Sequence, residues 1–196
     1  MKKKYFLFYL RSFNDTDHIS PIIYEFLKNK EFVKVIYVSN FDFKNDYRMN
    51  FFLNNFENFQ LSRITFFKRF KNILVKIFQI NKFRRNFSKK FNNQLSLFLS
   101  PELRNVYCVI FDWGEVNRNG FQDAKYLSIP NICLPHGLNI FKNMDVNPHI
   151  LDIKNRTGRW PDHSSRNKFD AYIFQSQRHL LQACEWGHDP KKTFFW

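Results

Sequence analysis

The segment from residue 5 to residue 38 decides the fold and reads YFLFYL-RSFNDTDHISPIIYEFLKNKE-FVKVIYV. Tyr5–Leu10 is a continuous apolar run, the pattern of a strand buried on both faces. Apolar residues then recur at helical spacing between Ile19 and Asn29, and a second apolar run covers Val33–Val38. Strand, helix and strand within this length predict a βαβ unit with parallel strands.

The spacing of apolar residues predicts helices along the first half of the chain. The first helix is expected to begin near Ile19, with Asp17 as its N-cap and Pro21 in its first turn. A short helix is predicted around Asn50–Phe59. From Phe66 to Leu99, Phe and Ile at steps of three and four predict one long amphipathic helix or two in tandem.

The second half of the chain repeats the alternation of strands and helices. Strands are predicted at Val106–Phe111, Pro130–Pro135, Ala171–Phe174 and Lys192–Trp196, helices at Gly120–Leu127 and Ser176–Trp186, and a long polar loop at Asn143–Lys168. This order predicts an α/β fold, an open Rossmann-like parallel sheet with helices on both faces. The 196 residues fit a single domain with a helical elaboration over about residues 50–100.

Composition and charge narrow the functional class. The chain is 44% hydrophobic with a formal net charge of +14, a globular composition that attracts anionic partners. The apolar run after Lys4 stops at Arg11, which is too short for a signal peptide, and no stretch is long enough for a transmembrane helix. We therefore expect a cytoplasmic protein, in contact with the inner face of the cell membrane if it binds lipid.

Polar residues follow the predicted strands at the points where functional groups gather in such sheets. They are Asn14, Asp17 and His18 after the first strand, Asp112 and Glu115 after the third, His136 and Gly137 after the fourth, and Ser176 after the fifth. Together they predict a cleft with acid/base capability. Because polar residues also end strands for structural reasons, the structural interpretation stays open for each of them.

His136 is the most informative of these residues. It directly follows a buried strand, and the glycine after it lets a ligand or another backbone approach closely. Histidine has an unperturbed pKa of about 6.5, which suits a general base acting on a hydroxyl at neutral pH. Asp112 or Glu115 would orient the imidazole. The alternative is a histidine that only caps a strand or helix.

The stretch IPNICLPHGLNIFKN, residues 129–143, resembles the His-Gly segment of the CDP-glycerol glycerophosphotransferase family and related surface-polysaccharide enzymes of the GT-B type. Residues 170–188 are similar to the family's passage into the linker before the donor-binding domain, and residues 14–21 to its first loop and helix. The resemblance implies that His136 is the catalytic base towards the acceptor hydroxyl.

The resemblance also implies a function. The chain would be the N-terminal, acceptor-side domain of a glycosyl- or polyol-phosphate transferase in cell-surface polysaccharide synthesis. Its donor would be a nucleotide-activated sugar or polyol phosphate, and its acceptor lipid-linked or polymeric. The donor-binding domain of the family has no counterpart here, so we expect a partner or a further segment to supply it. No glycine-rich phosphate loop and no metal-ligand spacing occur, so no cofactor or metal is expected.

A basic segment is the second functional signal. Residues 63–90 carry no acidic residue, and the cations expected to contact a membrane are Lys68, Arg69, Lys71, Lys76, Arg84 and Arg85. With the Phe/Ile stripe, this pattern is typical of an interfacial helix drawn to anionic lipids. It equally fits a helix that packs on the sheet and exposes a solvated basic face. Nucleic acid is the third choice, since no motif that reads DNA or RNA occurs. The alternative function is thus a non-catalytic basic binding module.

Overall fold

A computed structural model describes residues 3–11, 13–37, 45–63, 88–111, 120–134, 148–160 and 162–195. The strands are β1 (Tyr5–Leu10), β2 (Phe32–Tyr37), β3 (Phe59–Arg63), β4 (Val106–Phe111), β5 (Asn131–Cys133), β6 (Ala171–Phe174) and β7 (Thr193–Phe195). The helices are α1 (Phe13–Lys28), α2 (Tyr47–Asn55), α3 (Lys89–Leu99), α4 (Phe121–Tyr126), α5 (Pro148–Thr157) and α6 (Gln177–Glu185). Among these described helices, none is long and apolar enough to cross a bilayer.

The strands form a parallel sheet in the order β3-β2-β1-β4-β5-β6-β7. The predicted Rossmann-like α/β fold is thereby confirmed. The chain runs outward from β1 to β3 and then returns to place β4 on the other side of β1, so the order reverses between these two strands. Such a reversal is the usual position of a ligand crevice in open α/β sheets.

The described residues cluster into two compact units. The first contains the residues up to Ile110 and those from Gly120 to Asn131, and the second contains Phe111 and the residues from Ile132 onward. In the first unit, β1 pairs in register with β2, and the side chains of Leu7 and Phe8 are fully buried. The continuous apolar run of β1 is thus used as a strand with both faces covered.

Helix α1 begins at Phe13, six residues before the predicted start. Asp15 and Thr16 are fully buried and share the inward face with Ile19 and Ile23. One Asp15 carboxylate oxygen accepts the Arg11 N–H at 2.8 Å, and the Thr16 hydroxyl shares a hydrogen bond with the Tyr37 hydroxyl. The expected start was wrong because apolar spacing does not count buried polar residues.

It follows that Asp17 and Pro21 lie inside α1, and Asp17 is not its N-cap. The helix tolerates Pro21, although a proline inside a helix removes one backbone hydrogen bond.

The aromatic segment after β2 also differs from the prediction. Asp46 caps α2 by accepting hydrogen bonds from the backbone N–H groups of Arg48 and Met49, so the helix begins before Asn50. It ends at Asn55, and Phe59 starts strand β3, which pairs with β2 instead of continuing the helix. The helix prediction over Asn50–Phe59 was therefore wrong in its second half. Phenylalanine suits both helix and strand spacing in so short a run.

The remaining elements mostly agree with the sequence. Of the long helix predicted from Phe66 to Leu99, residues 66–87 lie outside the described residues, and α3 confirms its last turns. The strands β4 to β7 and the helices α4 and α6 lie where they were predicted. The loop predicted over Asn143–Lys168 was wrong, because it contains α5 and a 3-10 turn at Ser164–Lys168. Every described side chain of α5 except Ile153 is exposed, so no clear apolar stripe announces it.

A glycine is required where β1 meets the start of α4. Gly120 has φ +88°, and a Cβ added there would lie 2.6 Å from the Tyr9 hydroxyl oxygen. That hydroxyl is buried and donates to the Glu102 carboxylate at 2.7 Å. Burial, reinforced by the negative charge of Glu102, holds the pKa of Tyr9 well above its ordinary value. The pair ties the middle strand of the first unit to the turn before β4.

Two histidines lie in the aromatic core of the second unit. The His188 ring is 3% exposed and packs edge-on against Tyr172 and Phe174, with ring centroids 4.6 and 5.5 Å apart. The His163 ring packs edge-on against Trp186 at 5.4 Å and lies 6.2 Å from His188. Burial, with a smaller contribution from Arg166, lowers the pKa of each imidazole to about 4. Both rings are therefore neutral at pH 7.

This lowered pKa predicts that the protein loses stability in mild acid. In the unfolded chain these histidines take up protons as the pH falls below about 6.5, whereas in the folded chain they take up protons only near pH 4. The free energy of unfolding is therefore highest above pH 6.5 and falls between pH 6.5 and 4. We expect each ring to contribute a loss of about 2 kcal/mol in the free energy of unfolding between pH 7 and pH 5. Urea unfolding at both pH values measures it.

The matched variants are His188→Phe and His18→Asn, because His18 is an exposed residue of α1. The first should remove about half of the pH dependence and the second should leave it unchanged. Equal pH dependence in His188→Phe and the unmodified chain would contradict the assignment of the loss to this ring.

Candidate functional site

The carboxyl ends of β1 and β2 open onto a set of charged and hydroxyl side chains in the first unit. We call it the carboxyl-edge cluster, and it consists of Arg11, Asp15, Thr16, Asp17, Tyr37, Asp46 and Arg48. Tyr37 is the last residue of β2, Asp15 to Asp17 belong to the first turns of α1, and Asp46 and Arg48 begin α2. The cluster thus borders β1, the inner strand of the topological reversal.

Asp15 is fixed by the chain that leaves β1. One carboxylate oxygen accepts the backbone N–H of Arg11 at 2.8 Å and lies 3.6 Å from the Arg11 Nε. Asp15 also stands in the first turn of α1, where the positive end of the helix dipole favours a negative charge. These contacts tie Arg11, directly after β1, to the first turn of α1.

Thr16 and Tyr37 join α1 to the end of β2. Their hydroxyl oxygens lie 2.5 Å apart, and both side chains are fully buried. Burial raises the pKa of Tyr37 above its ordinary value, and the carboxylates of Asp46 and Asp15 raise it further, although the hydrogen bond to Thr16 acts in the opposite direction. Tyr37 therefore remains protonated at neutral pH and serves as a hydrogen-bonding hydroxyl, not as a base.

Arg48 is the centre of the cluster. Its guanidinium donates to both oxygens of Asp46, from Nη2 at 2.6 Å and from Nε at 3.1 Å, and Nη1 donates to the Asp17 carboxylate. The Arg48 and Asp46 side chains are 8% and 0% exposed, whereas that of Asp17 is 53% exposed. A planar, two-pronged pairing of this kind fixes geometry as well as charge. Arg48 consequently locks the start of α2 to α1.

The solvent-facing rim of the cluster is what a ligand could reach. Asp17 and its neighbour His18 are exposed on the second turn of α1 and present a carboxylate and an imidazole to solvent. Both groups form hydrogen bonds with hydroxyls, as polyol and sugar recognition requires. The buried part of the cluster supports this rim and has no exposed group of its own.

Several predicted site residues lie outside the described residues. These are His136, Asp112, Glu115 and Gly137, and the basic residues Lys68, Arg69, Lys71, Lys76, Arg84 and Arg85. The backbone of Asn14 belongs to α1, while its side chain is also outside the described part. Their roles stay predictions. The structure does describe Phe111, which directly precedes Asp112, and Leu134, which precedes His136 by two residues. The Leu134 N–H donates to the Phe111 carbonyl at 2.8 Å.

Ser176 has a structural duty at the end of β6 in the second unit. Its hydroxyl accepts the backbone N–H of His179 at 3.3 Å and caps α6. Ser176 belongs to the second unit and Asp17 and His18 to the first. The substrate-binding role predicted for Ser176 remains a prediction.

Sequence reasoning missed Arg48, Asp46 and Tyr37. A signal existed for Asp46, since an aspartate shortly before an apolar helical pattern, here three residues before Met49, is a typical N-cap arrangement. No local signal announces Arg48, because its partner Asp17 is 31 residues away in the chain. Only the packing of α2 beside α1 creates that pair.

Two further findings concern metal ligands and similarity to known proteins. In the part of the chain that the structure describes, no three His, Cys, Asp or Glu side chains converge as metal ligands. No known protein family matches the chain, and no curated protein sequence is significantly similar to it.

The geometry of Arg48 predicts a large effect on stability. Replacing it with methionine keeps an unbranched apolar stem but removes the guanidinium, which leaves the buried Asp46 carboxylate without its cation. We expect Arg48→Met to lower the free energy of unfolding by about 3 kcal/mol, the range for breaking one side of a buried ion pair. Chemical unfolding followed by tryptophan fluorescence measures the change.

Arg156→Met is the matched control. Arg156 pairs with Asp152 at 3.0 Å on the surface of α5, where the two side chains are 66% and 56% exposed. An exposed pair of this kind contributes less than about 1 kcal/mol. Similar losses in the two variants would show that the burial of the Arg48 pair has no energetic consequence.

Proposed function

We propose that the chain is the acceptor-side half of a GT-B type transferase that moves a glycosyl or polyol-phosphate group from a nucleotide-activated donor to a surface-polymer acceptor. His136 is the general base in this proposal. The function rests on the combination of a parallel Rossmann-like sheet with a His-Gly segment after its fifth strand. The family resemblance of residues 129–143 supplies the type of reaction.

The observation that carries the proposal is the hydrogen bond between the ends of two strands. Leu134, directly after β5, donates its N–H to the carbonyl of Phe111, the last residue of β4. Asp112 follows Phe111 in the chain, and His136 follows Leu134 by two residues. The two predicted catalytic residues are therefore close in sequence to two described backbone groups that are hydrogen bonded to each other at the carboxyl ends of their strands.

The proposed reaction requires the protein to position the acceptor and the donor and to accept one proton. An acceptor hydroxyl donates its proton to His136 as its oxygen attacks the anomeric carbon or the phosphorus of the donor. The bond between that atom and the nucleotide phosphate breaks, and the nucleotide leaves with the electron pair. Asp112 or Glu115 positions the imidazole and stabilises its protonated form, as a carboxylate does for a catalytic histidine.

The described rim fits the acceptor in this scheme. Asp17 and His18 lie on the second turn of α1, in the first unit, and offer hydrogen bonds to hydroxyl groups. Arg48 holds Asp17 from behind, which reduces the number of orientations available to its carboxylate. Prepositioned groups of this kind lower the entropic cost of aligning an acceptor. The donor would occupy a second domain or a partner protein.

The test replaces His136 in a system that can supply the missing half. Membranes from source cells that lack the gene are supplemented with purified chain, and incorporation of label from CDP-glycerol or nucleotide sugars into polymer is measured. The unmodified chain should restore incorporation. His136→Ala should lower it by about 100-fold or more, the contribution of a general base, while its circular dichroism spectrum stays unchanged.

His179→Gln is the matched control, since His179 lies on α6 outside the predicted site. It should restore incorporation as well as the unmodified chain does. Normal incorporation with His136→Ala would remove His136 as the base. Failure of the unmodified chain with every donor would remove the transferase proposal and favour the non-catalytic module.

A further inference from the structure

Gln175 is the first residue after β6, at the carboxyl end of that strand. Its side chain is partly buried, and its carboxamide oxygen Oε1 is fully buried. Within the part of the chain that the structure describes, this oxygen accepts no hydrogen bond. Buried side-chain oxygens almost always have a donor, because an oxygen removed from water without one costs free energy. Gln175 Oε1 is therefore available to a donor from outside the chain.

Other polar side chains of the second unit have structural duties. The Ser176 hydroxyl caps α6. The Asn167 amide is paired at both ends, because its Oδ1 accepts the Asp189 N–H and its Nδ2 donates to the Gly187 carbonyl, each at 2.8 Å. An amide that holds loops together is expected to be paired in this way. The Gln175 oxygen differs from both neighbours, so the fold gives no reason for an amide at this position.

The position of Gln175 along the sheet connects it with the predicted base. Cys133 of β5 pairs in register with Tyr172 of β6, and both residues belong to the second unit together with Gln175. Gln175 follows Tyr172 by three residues, and His136 follows Cys133 by three residues in the chain. The two residues are thus equally far in sequence from a paired position on neighbouring strands. Ligands of open α/β sheets bind at the carboxyl ends of such strands.

The chemistry of an amide oxygen limits what can bind to it. A carbonyl oxygen accepts hydrogen bonds only, so its partner must carry an O–H or N–H group. The hydroxyl groups of a polyol or a sugar meet this requirement. The phosphate oxygens of a nucleotide-activated donor are themselves acceptors and do not. Gln175 therefore suits an uncharged, hydroxyl-bearing part of a substrate, which in the proposed reaction is the acceptor.

We propose that Gln175 binds a hydroxyl group of the acceptor, with Oε1 as the hydrogen-bond acceptor, and thereby orients the acceptor for deprotonation by His136. This inference rests on the proposed transferase function and adds a substrate-binding residue to it. The hydrogen bond forms and breaks no covalent bond of the acceptor. Loss of one hydrogen bond between neutral groups weakens binding about fivefold, and it also reduces the alignment of the bound acceptor.

The experiment compares two probes by NMR titration of the full chain. One is a glycerol phosphate trimer with free hydroxyl groups, and the other is the same trimer with its hydroxyl groups methylated. Both probes carry the same charge, so their general attraction to the basic chain is equal. The unmodified chain should bind the free trimer about fivefold more tightly. Gln175→Met, an unbranched apolar side chain of similar length, should bind the two probes within twofold of each other.

Gln60→Met is the matched control, because Gln60 is exposed on β3 and its amide donates to the Tyr5 hydroxyl at 3.1 Å. It should keep the fivefold preference. Thermal unfolding gives a second readout, since removing a buried oxygen that has no partner does not destabilise a fold. The Tm of Gln175→Met should be at least that of the unmodified chain. A fall of more than about 5 °C would assign a structural duty to Gln175 and overturn the proposal.

The binding results stand apart from the transfer assay. Equal binding of both probes to the unmodified chain overturns the proposal. A preference that persists in Gln175→Met also overturns it and leaves only a bound water at Oε1. If polymer incorporation is restored without a preference between the probes, this inference alone fails. If the preference depends on Gln175 but the unmodified chain restores no incorporation, the hydroxyl-binding site remains and the transferase proposal fails.

Discussion

Strand β1 must bury both of its faces, because it lies between β2 and β4 in the middle of a parallel sheet. Leu7, Phe8, Tyr9 and Leu10 are all buried, and helix α1 supplies Ile19, Ile23 and Leu27 against one side. Polar groups that enter this environment need partners, so the Tyr9 hydroxyl bonds Glu102 and Asp15 accepts the N–H of Arg11. In the carboxyl-edge cluster, buried polar groups with partners, such as Arg48, lie next to the exposed carboxylate of Asp17.

The parts of the fold that the sequence predicted correctly are those where apolar residues alone decide burial. The runs at Tyr5–Leu10 and Val106–Phe111 are strands, as expected for six consecutive apolar residues in a sheet that is covered on both faces. The start of α1 was misplaced since Asp15 and Thr16 are buried through hydrogen bonds, which a hydrophobic pattern cannot register. Helix α5 was missed for the converse reason, because it buries little and shows no clear stripe.

The candidate site residues also divide into those that the sequence pattern can locate and those that it cannot. A carboxylate or histidine after an apolar run can be found from the chain alone, which is how Asp17 and His18 were chosen. Arg48 could not be found in this way, since it depends on α2 packing beside α1. The orientation of α3 is equally invisible in sequence: periodicity predicts an apolar stripe but does not say which face a helix turns to its neighbour. The Ser100–Asp123 hydrogen bond helps to fix that face.

The position of a histidine relative to the strands distinguishes the buried structural histidines from the proposed base. His163 precedes β6 and His188 precedes β7, so both belong to the amino ends of strands. Burial among aromatic rings lowers the pKa of each to about 4, and an imidazole with so low a pKa is a weak base towards a hydroxyl. His136 instead follows β5 in the chain, and open α/β sheets bind their ligands at the carboxyl ends of their strands. The proposal of a general base therefore favours His136 over the two core histidines.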